Sequence, residues 1–98
     1  MTSDIVVRLD GDIDLATADA ADSLVRAGAD EALATGVDLV VDMEHVTFMG
    51  SQGLSVVIRA DLRLRAAGRR ARVRNPSRAV HRVFEISALT ALLEDPAG

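Results

Sequence analysis

The sequence predicts an α/β domain in which a small mixed, largely parallel sheet of about four strands packs against helices. Strand-like and helix-like segments alternate along the chain, and the connections between them are only a few residues long. Hydrophobic residues make up 49% of the 98 positions, which is enough to build a core. We therefore expect residues 1–98 to form a single domain, with residues 95–98 as a frayed tail.

The first half of the chain predicts a strand, a helix and a second strand. Residues 5–9 form a β-branched run that stops at a turn-prone Asp-Gly-Asp sequence, and Ile13 and Leu15 are expected to continue the strand beyond a bulge. Thr17 is the expected N-cap of the first helix, and Gly36 supplies the left-handed residue that ends it. Residues 37–43 are the strongest strand, and their apolar run predicts a central position covered on both faces.

The second half predicts two further helices around a short strand. The second helix starts near residues 50–53, and residues 71–74 alternate as in a strand. Asn75 and Pro76 form a helix-start pair, so a third helix is predicted to follow them. The apolar stripe of the second helix consists of Leu54, Val57, Ile58 and Leu62. The buried residues of the third helix are expected to be Val80, Val83 and Phe84.

Residue types that many enzymes and cofactor sites require are missing from the chain. It contains no cysteine, which excludes a disulfide framework, a thiolate zinc site and a catalytic thiol. It contains no lysine, so the glycine-rich residues 50–53 are not a Walker phosphate loop. His45 and His81 lie in no motif that marks a general base, and no acidic or histidine cluster has metal-ligand spacing. We expect no enzyme activity, no cofactor and no metal.

Composition also bears on location and on partners. No apolar run approaches the ~20 residues that span a bilayer. The N-terminal residues lack the layout of a signal peptide. We therefore expect a cytoplasmic protein without membrane association. The formal net charge of −4 argues against a dedicated nucleic-acid binder.

Charge is divided unevenly along the chain. Residues 59–82 contain nine arginines against Asp61 alone, whereas residues 1–58 contain eleven acids against Arg8 and Arg26. The basic strip could bind RNA or an acidic protein. However, no aromatic side chain lies among the arginines to stack on bases. A solvated helix face with one sheet edge is the plainer interpretation, and an acidic protein partner is the alternative.

Gly50, Ser51, Gln52 and Gly53 lie between a buried strand and a helix and form the main candidate for function. A serine there meets the unpaired N–H groups and the positive dipole end of the helix, which favour a negative charge. The flanking glycines let another backbone approach closely. Most serines at such positions are simply helix caps, and that interpretation stays open. A serine-hydrolase elbow is disfavoured, because Met49 stands where a small residue is required.

Four segments together resemble the STAS domain of bacterial anti-sigma factor antagonists. They are GDIDLATA at residues 11–18, LVVDM at residues 39–43, VTFMGSQGL at residues 46–54, and NPSRAV at residues 75–80 with the later ISAL at residues 86–89. Each segment alone is unspecific, but they occur in order at domain-wide spacing, and the resemblance extends over about residues 5–94. The resemblance implies a single STAS domain whose function is a switch rather than catalysis.

The resemblance further implies a partner, a modified residue and a docking surface. The unmodified antagonist binds an anti-sigma factor that is also a serine kinase, and thereby releases the sigma factor. The kinase phosphorylates the serine before the second helix, which corresponds to Ser51, and a phosphatase reverses the modification. The implied partner-binding residues are Asp12, Asp14, Thr17, Gly50, Ser51, Gln52, Gly53 and Leu54.

Two departures from the family keep a second interpretation open. Many members have Asp where this chain has Gly50, a difference that could make Ser51 a slow substrate or none. The usual N-terminal strand is also missing, so either the start is clipped or the sheet has one edge strand fewer. An unpaired edge could form a homodimer. The alternative function is a constitutive STAS subunit without a phospho-switch, as in lipid-transport ABC complexes or stressosome-like assemblies.

Overall fold

The computed structural model describes residues 3–94, which form three strands, three α-helices and one short 3-10 helix. The elements are β1 (Ile5–Ile13), α1 (Ala18–Thr35), β2 (Leu39–Met49), α2 (Ser51–Arg65), β3 (Ala71–Arg74), α3 (Arg78–Ile86) and the 3-10 helix Thr90–Leu92. The predicted alternation of strands and helices is confirmed. The frayed tail predicted at residues 95–98 lies outside the described residues.

The sheet has the order β1-β2-β3, and both strand pairs are parallel. The predicted fourth strand is not confirmed, since residues 3–94 supply three strands and one isolated bridge between Val73 and Leu93. Helices α1 and α2 form the crossovers between the strands, which accounts for the parallel direction throughout. Within the described residues β1 pairs only with β2, so its other edge is unpaired. A homodimer through that edge stays a prediction.

β2 is longer than the sequence predicts, whereas β1 ends at Ile13 and, contrary to expectation, does not reach Leu15. β1 continues through Ile13 with two irregularities in its register, in agreement with the expected bulge. β2 continues to Met49 rather than ending at Met43, because its pairing with β1 extends to that point. The first five residues of β2 are all buried, which confirms its central position. The ends of the two strands lie together, directly before the start of α2.

One hydrophobic core takes residues from all three strands and all three α-helices. α1 packs against β1 and α2, and α3 packs against β2. The predicted apolar stripe of α2 is wrong at Leu62, whose side chain is 62% exposed. The buried side of α2 instead includes small residues, because α1 and the strands approach this helix closely. The buried residues of α2 are Gly53, Val56, Val57, Ala60, Asp61 and Leu64.

The predicted helix ends are confirmed for α1, but the predicted start of α3 is not. Gly36 ends α1 in the left-handed conformation with φ of 72°, and Thr17 occupies the N-cap position, both as predicted. The N-cap of α3 is Ser77, whose hydroxyl accepts a hydrogen bond from the N–H of Val80 at 3.4 Å. Asn75 instead adopts φ of 53° in the turn after β3. The predicted Asn-Pro helix start is therefore wrong.

The last turns of α2 are tied to β3 by Asp61, which is only 4% exposed. Its carboxylate accepts hydrogen bonds from the N–H of Ala71 at 2.9 Å, from Nε of Arg70 at 3.1 Å and from Nε of Arg65 at 2.8 Å. Burial acts to raise the pKa of Asp61, but the hydrogen bonds and the two guanidinium charges outweigh it and lower the pKa. This attachment holds the far end of the helix that begins at Ser51.

Candidate functional site

Ser51 is the first residue of α2 and lies exposed at the surface. The N-cap position belongs to Gly50, which is extended, and no side chain caps the helix. The hydroxyl of Ser51 forms no hydrogen bond with any other residue between 3 and 94. The interpretation of Ser51 as a helix cap is therefore wrong. Its hydroxyl is free at the positive end of a helix of 15 residues.

Hydrogen bonds join the start of α2 to the end of β1. The N–H of Gly50 donates to the carbonyl of Ile13 at 2.9 Å. Asp12 is opposite Phe48 in the strand pair, and its carboxylate accepts a hydrogen bond from the hydroxyl of Thr47 at 2.6 Å. The fold thus brings residues 12–17 and residues 50–54 side by side at one end of the sheet.

The turn between β1 and α1 is shaped by Asp14 and Thr17. Oδ1 of Asp14 accepts hydrogen bonds from the N–H of Ala16 at 3.0 Å and of Thr17 at 3.2 Å. The hydroxyl of Thr17 donates to the carbonyl of Asp12 at 2.6 Å and accepts from the N–H of Asp14 at 3.0 Å. Both side chains are therefore occupied in holding the turn against the end of β1.

The two glycines beside Ser51 meet different surroundings. A Cβ on Gly53 would stand 2.3 Å from Cγ of Met49 and 3.1 Å from Cγ2 of Ile13. Only a residue without a side chain lets α2 pack this closely on the strand ends. A Cβ on Gly50 would meet Oε1 of Gln52 at 2.8 Å, which is the far end of a flexible side chain. Packing therefore requires glycine at position 53 but not at position 50.

The predicted docking residues fall into three groups by exposure. Asp12, Thr17 and Ser51 are exposed, and Gly53 is buried. The group of intermediate exposure consists of Asp14, Gly50, Gln52 and Leu54. Side chains from both segments, residues 12–17 and residues 50–54, therefore contribute to the surface around Ser51.

The arginine strip is largely paired within the chain. Six of the nine arginines in residues 59–82 form ion pairs with carboxylates of the described residues. These pairs are Arg59–Asp22, Arg63–Asp30, Arg65–Asp61, Arg70–Asp61, Arg72–Asp38 and Arg74–Glu94. Three of these six pairs join an acid of the first half of the chain to an arginine of the second half. Because most of the arginines are already paired, the strip is better explained as a solvated face than as an RNA site.

The hydroxyl of Ser51 is accessible from the surface of the domain. It has no hydrogen-bonded base within residues 3–94, which a serine needs in order to act as a nucleophile itself. Across the same residues, no group of three histidines or acids could hold a metal ion. None of the described helices is long and apolar enough to cross a bilayer. An enzyme brought from outside can reach the hydroxyl without local unfolding.

Compared with protein-family models, the sequence matches the STAS domain over residues 2–95. The chain belongs to the STAS domain family. No curated protein matches this STAS domain significantly. Among solved structures, the domain is similar to the anti-sigma factor antagonist SpoIIAA in its unphosphorylated form, with 24% identity and a TM-score of 0.75. That match covers 97% of this chain and 83% of SpoIIAA.

A second structure similar to this STAS domain is the Bacillus cell fate determinant SpoIIAA in its phosphorylated form. The identity is 28% and the TM-score 0.66, and the match covers 97% of this chain and 86% of the other. The STAS family predicted from the four sequence segments is therefore confirmed, and the fold of the chain is similar to that of SpoIIAA.

Three residues near Ser51 in this STAS domain are not singled out by the sequence. Leu15 and Phe48 are large apolar residues that are 81% and 52% exposed, and Thr47 binds Asp12. In the sequence, Leu15 and Phe48 look like extensions of the neighbouring strands, where an apolar side chain is ordinarily buried. Their position beside polar and glycine-rich turns is the one signal that could have revealed them.

Proposed function

We propose that this STAS domain is an anti-sigma factor antagonist controlled by phosphorylation of Ser51. The unphosphorylated domain binds an anti-sigma factor that is also a serine kinase, and this binding releases the sigma factor. Phosphorylation of Ser51 by the kinase dissociates the complex, and a phosphatase restores binding. The docking surface comprises Asp12, Asp14, Thr17 and residues 50–54.

The observation that carries the proposal is the free hydroxyl of Ser51 at the exposed start of α2. The positive end of the helix dipole favours a phosphate there in the free domain. SpoIIAA, whose fold this chain shares, has unphosphorylated and phosphorylated forms, which supports a modification of this kind. The neighbouring turn at residues 12–17 supplies a rigid second side to the surface.

A phosphate on Ser51 weakens docking because its charge must leave water when a partner covers it. Phosphorylation adds a charge of about −1.5 to −2 at neutral pH. An uncompensated charge buried in an interface costs about 3–5 kcal/mol, which is roughly a few hundred-fold to several thousand-fold in affinity. One covalent modification is therefore sufficient to release the partner.

The modification is tested with the anti-sigma factor kinases of the organism that produces this chain, each purified and mixed with the domain and ATP. Intact mass spectrometry should show one added phosphate on the wild-type domain and none on Ser51→Ala. Ser55→Ala is the matched control, since Ser55 lies one turn later on α2 and its hydroxyl is bonded to the carbonyl of Ser51 at 3.1 Å. The control should gain one phosphate. A phosphate that persists on Ser51→Ala contradicts the proposed site.

The switch itself is tested by affinity rather than by mass. Isothermal titration calorimetry should show that Ser51→Ala binds the kinase about as tightly as the wild-type domain. Ser51→Asp, which places a carboxylate at the same position, should bind at least tenfold more weakly, about 1.4 kcal/mol. Equal affinities of the two variants would remove the electrostatic basis of the switch.

A second candidate function is favoured by Gly50. The resemblance to the antagonist family places an acid before the phosphorylated serine, and this chain has glycine there. A constitutive STAS subunit of a larger assembly, such as a lipid-transport ABC complex or a stressosome-like particle, needs no kinase recognition. Affinity purification from the native cell separates the two candidates. Recovery of an ATP-binding-cassette subunit without a sigma regulator supports the second.

A further inference from the structure

Two exposed apolar side chains stand close to Ser51. Phe48 precedes it by three residues, and its Cε2 is 3.7 Å from the position that a Cβ on Gly50 would take. Leu15 lines a groove of about 320 Å³ between the starts of α1 and α2, together with Gln52 and Ser55. Leu15 is 81% exposed and Phe48 52% exposed, so both apolar surfaces lie in water in the free domain.

Acidic residues outnumber basic residues around these two side chains. Residues 9–25 carry five acids and no basic residue, and residues 43–58 carry Glu44 and no arginine. Arg59 also lines the groove beside Leu15, together with Asp19 and Asp22. Because Arg59 pairs with Asp22, Asp19 leaves the groove with a net negative charge. The surface around Ser51 therefore combines apolar centres with a negative rim, and charge complementarity requires a positive rim on whatever covers it.

We propose that Leu15 and Phe48 are the apolar anchors of the docking surface, and that the partner receives them in apolar pockets rimmed by arginine or lysine. This inference rests on the proposed antagonist function and names the chemistry of its partner. It also explains how one partner tolerates the acids but not a phosphate. Rim carboxylates stay hydrated, whereas a dianion on Ser51 lies beside the anchors and loses its water.

The chain supplies matched controls for both anchors. Leu62 and Ile86 are exposed to a similar extent, at 62% and 75%; Leu62 lies near the far end of α2, and Ile86 is the last residue of α3. Leu62 is eleven residues after Ser51 on the same helix, a distance of about 16 Å along the axis. Alanine at these positions removes an exposed apolar side chain without touching the proposed surface.

The experiment measures the affinity of four single alanine variants for the anti-sigma factor kinase that binds the wild-type domain. Leu15→Ala and Phe48→Ala should each weaken binding by at least tenfold, whereas Leu62→Ala and Ile86→Ala should stay within about threefold. Far-UV circular dichroism confirms that each variant is folded. A fifth variant, Asp19→Asn, should slow association and reduce its dependence on salt, because Asp19 is an exposed rim carboxylate.

The outcomes separate this inference from the function on which it rests. If Ser51→Asp weakens binding while the two anchor variants behave like the two controls, the anchors are refuted and the switch stands. If binding weakens at the anchors but Asp19→Asn leaves the salt dependence unchanged, the positive rim is refuted. If no anti-sigma factor of the organism binds the wild-type domain, the proposed function fails and this inference fails with it.

Discussion

Replacing Asp61 tests whether a buried carboxylate holds α2 in place. Asp61 is 4% exposed and receives three hydrogen bonds, from Arg65, Arg70 and the N–H of Ala71. Asp61→Asn keeps the shape of the side chain and an oxygen for Ala71 but removes the negative charge. Asp61→Ala also removes the acceptor and leaves the N–H of Ala71 buried without a partner.

The expected loss of stability follows from how exposed each hydrogen-bond partner of Asp61 is. The side chains of Arg65 and Arg70 are 53% and 38% exposed, so water screens both pairs and each contributes about 0.5 kcal/mol. In Asp61→Asn the buried hydrogen bond from the N–H of Ala71 no longer has a charged acceptor, which adds about 1 kcal/mol to the loss of stability. Asp61→Asn should therefore lower the free energy of unfolding by about 2 kcal/mol, and Asp61→Ala by about 3 kcal/mol.

The same side chain makes stability depend on pH. The pKa of Asp61 is lowered in the folded domain relative to its ordinary value of 3.8. Its contribution is therefore fully present above about pH 4 and is lost as the pH falls through the folded pKa. The difference in stability between the wild-type domain and Asp61→Asn should be constant at neutral pH and shrink in acid, where the carboxyl becomes neutral like the amide.

Urea unfolding followed by far-UV circular dichroism is the appropriate assay, because the chain has no tryptophan or tyrosine to report by fluorescence. Asp30→Asn is the matched control. Asp30 also pairs with an arginine, Arg63, but its side chain is 67% exposed, so the variant should lose less than about 1 kcal/mol. If Asp61→Asn loses no more than this control, the carboxylate does not hold the helix.

Two substitutions beside Ser51 have opposite expected effects. Gly53→Ala should lower the free energy of unfolding by about 1 kcal/mol in urea titration, because overpacking on Met49 exceeds the gain in helix propensity; an unchanged midpoint would contradict that packing. Gly50→Asp should raise the free energy of unfolding by a few tenths to about 1 kcal/mol, because the new carboxylate caps α2 once the side chain of Gln52 moves aside. The same variant should accelerate phosphorylation of Ser51 in the kinase assay, and a slower rate would argue that glycine is the preferred residue for this kinase.

Much of the fold follows from local patterns in the sequence. The β-branched run at the start of β1, the apolar run of β2 and the left-handed Gly36 each identify their element, because backbone preferences and burial act on neighbouring residues there. The end of β2 does not follow in the same way. The predicted strand ends at Met43, yet the residues after it remain in the sheet because β1 continues beside them through Ile13.

The buried face of α2 shows why packing is harder to predict than helical content. Large aliphatic side chains at helical spacing suggest a stripe that includes Leu62, but that residue is exposed and Asp61 beside it is buried. The choice depends on how closely α1 and the strands approach, and this distance is set by Gly53 and Ala60 rather than by the largest side chains. The spacing of Asp61 and Arg65 within α2 suggests their ion pair, but nothing local to the helix shows that Arg70 and the N–H of Ala71 will also bind Asp61.

The candidate site, too, could be predicted from the sequence only in part. The sequence places Ser51 at a strand-to-helix junction, but it does not show which residue caps the helix, and only the structure places Gly50 there. Thr47 and Asp12 meet across two strands, a contact between residues 35 positions apart. Long-range contacts of this kind depend on strand register, which local sequence patterns leave undetermined.

The structure separates what stabilises α2 from what a modification of Ser51 would change. The helix is held by its buried face, with Gly53 on the strand ends and Asp61 on β3, and none of these contacts involves the hydroxyl of Ser51. A phosphate there meets water and the positive end of the helix, so it costs the free domain little. Its cost arises only when another surface covers it. A residue with this combination can alter binding strongly while leaving the fold intact, and for that reason Ser51→Asp should unfold at nearly the same urea concentration as Ser51→Ala.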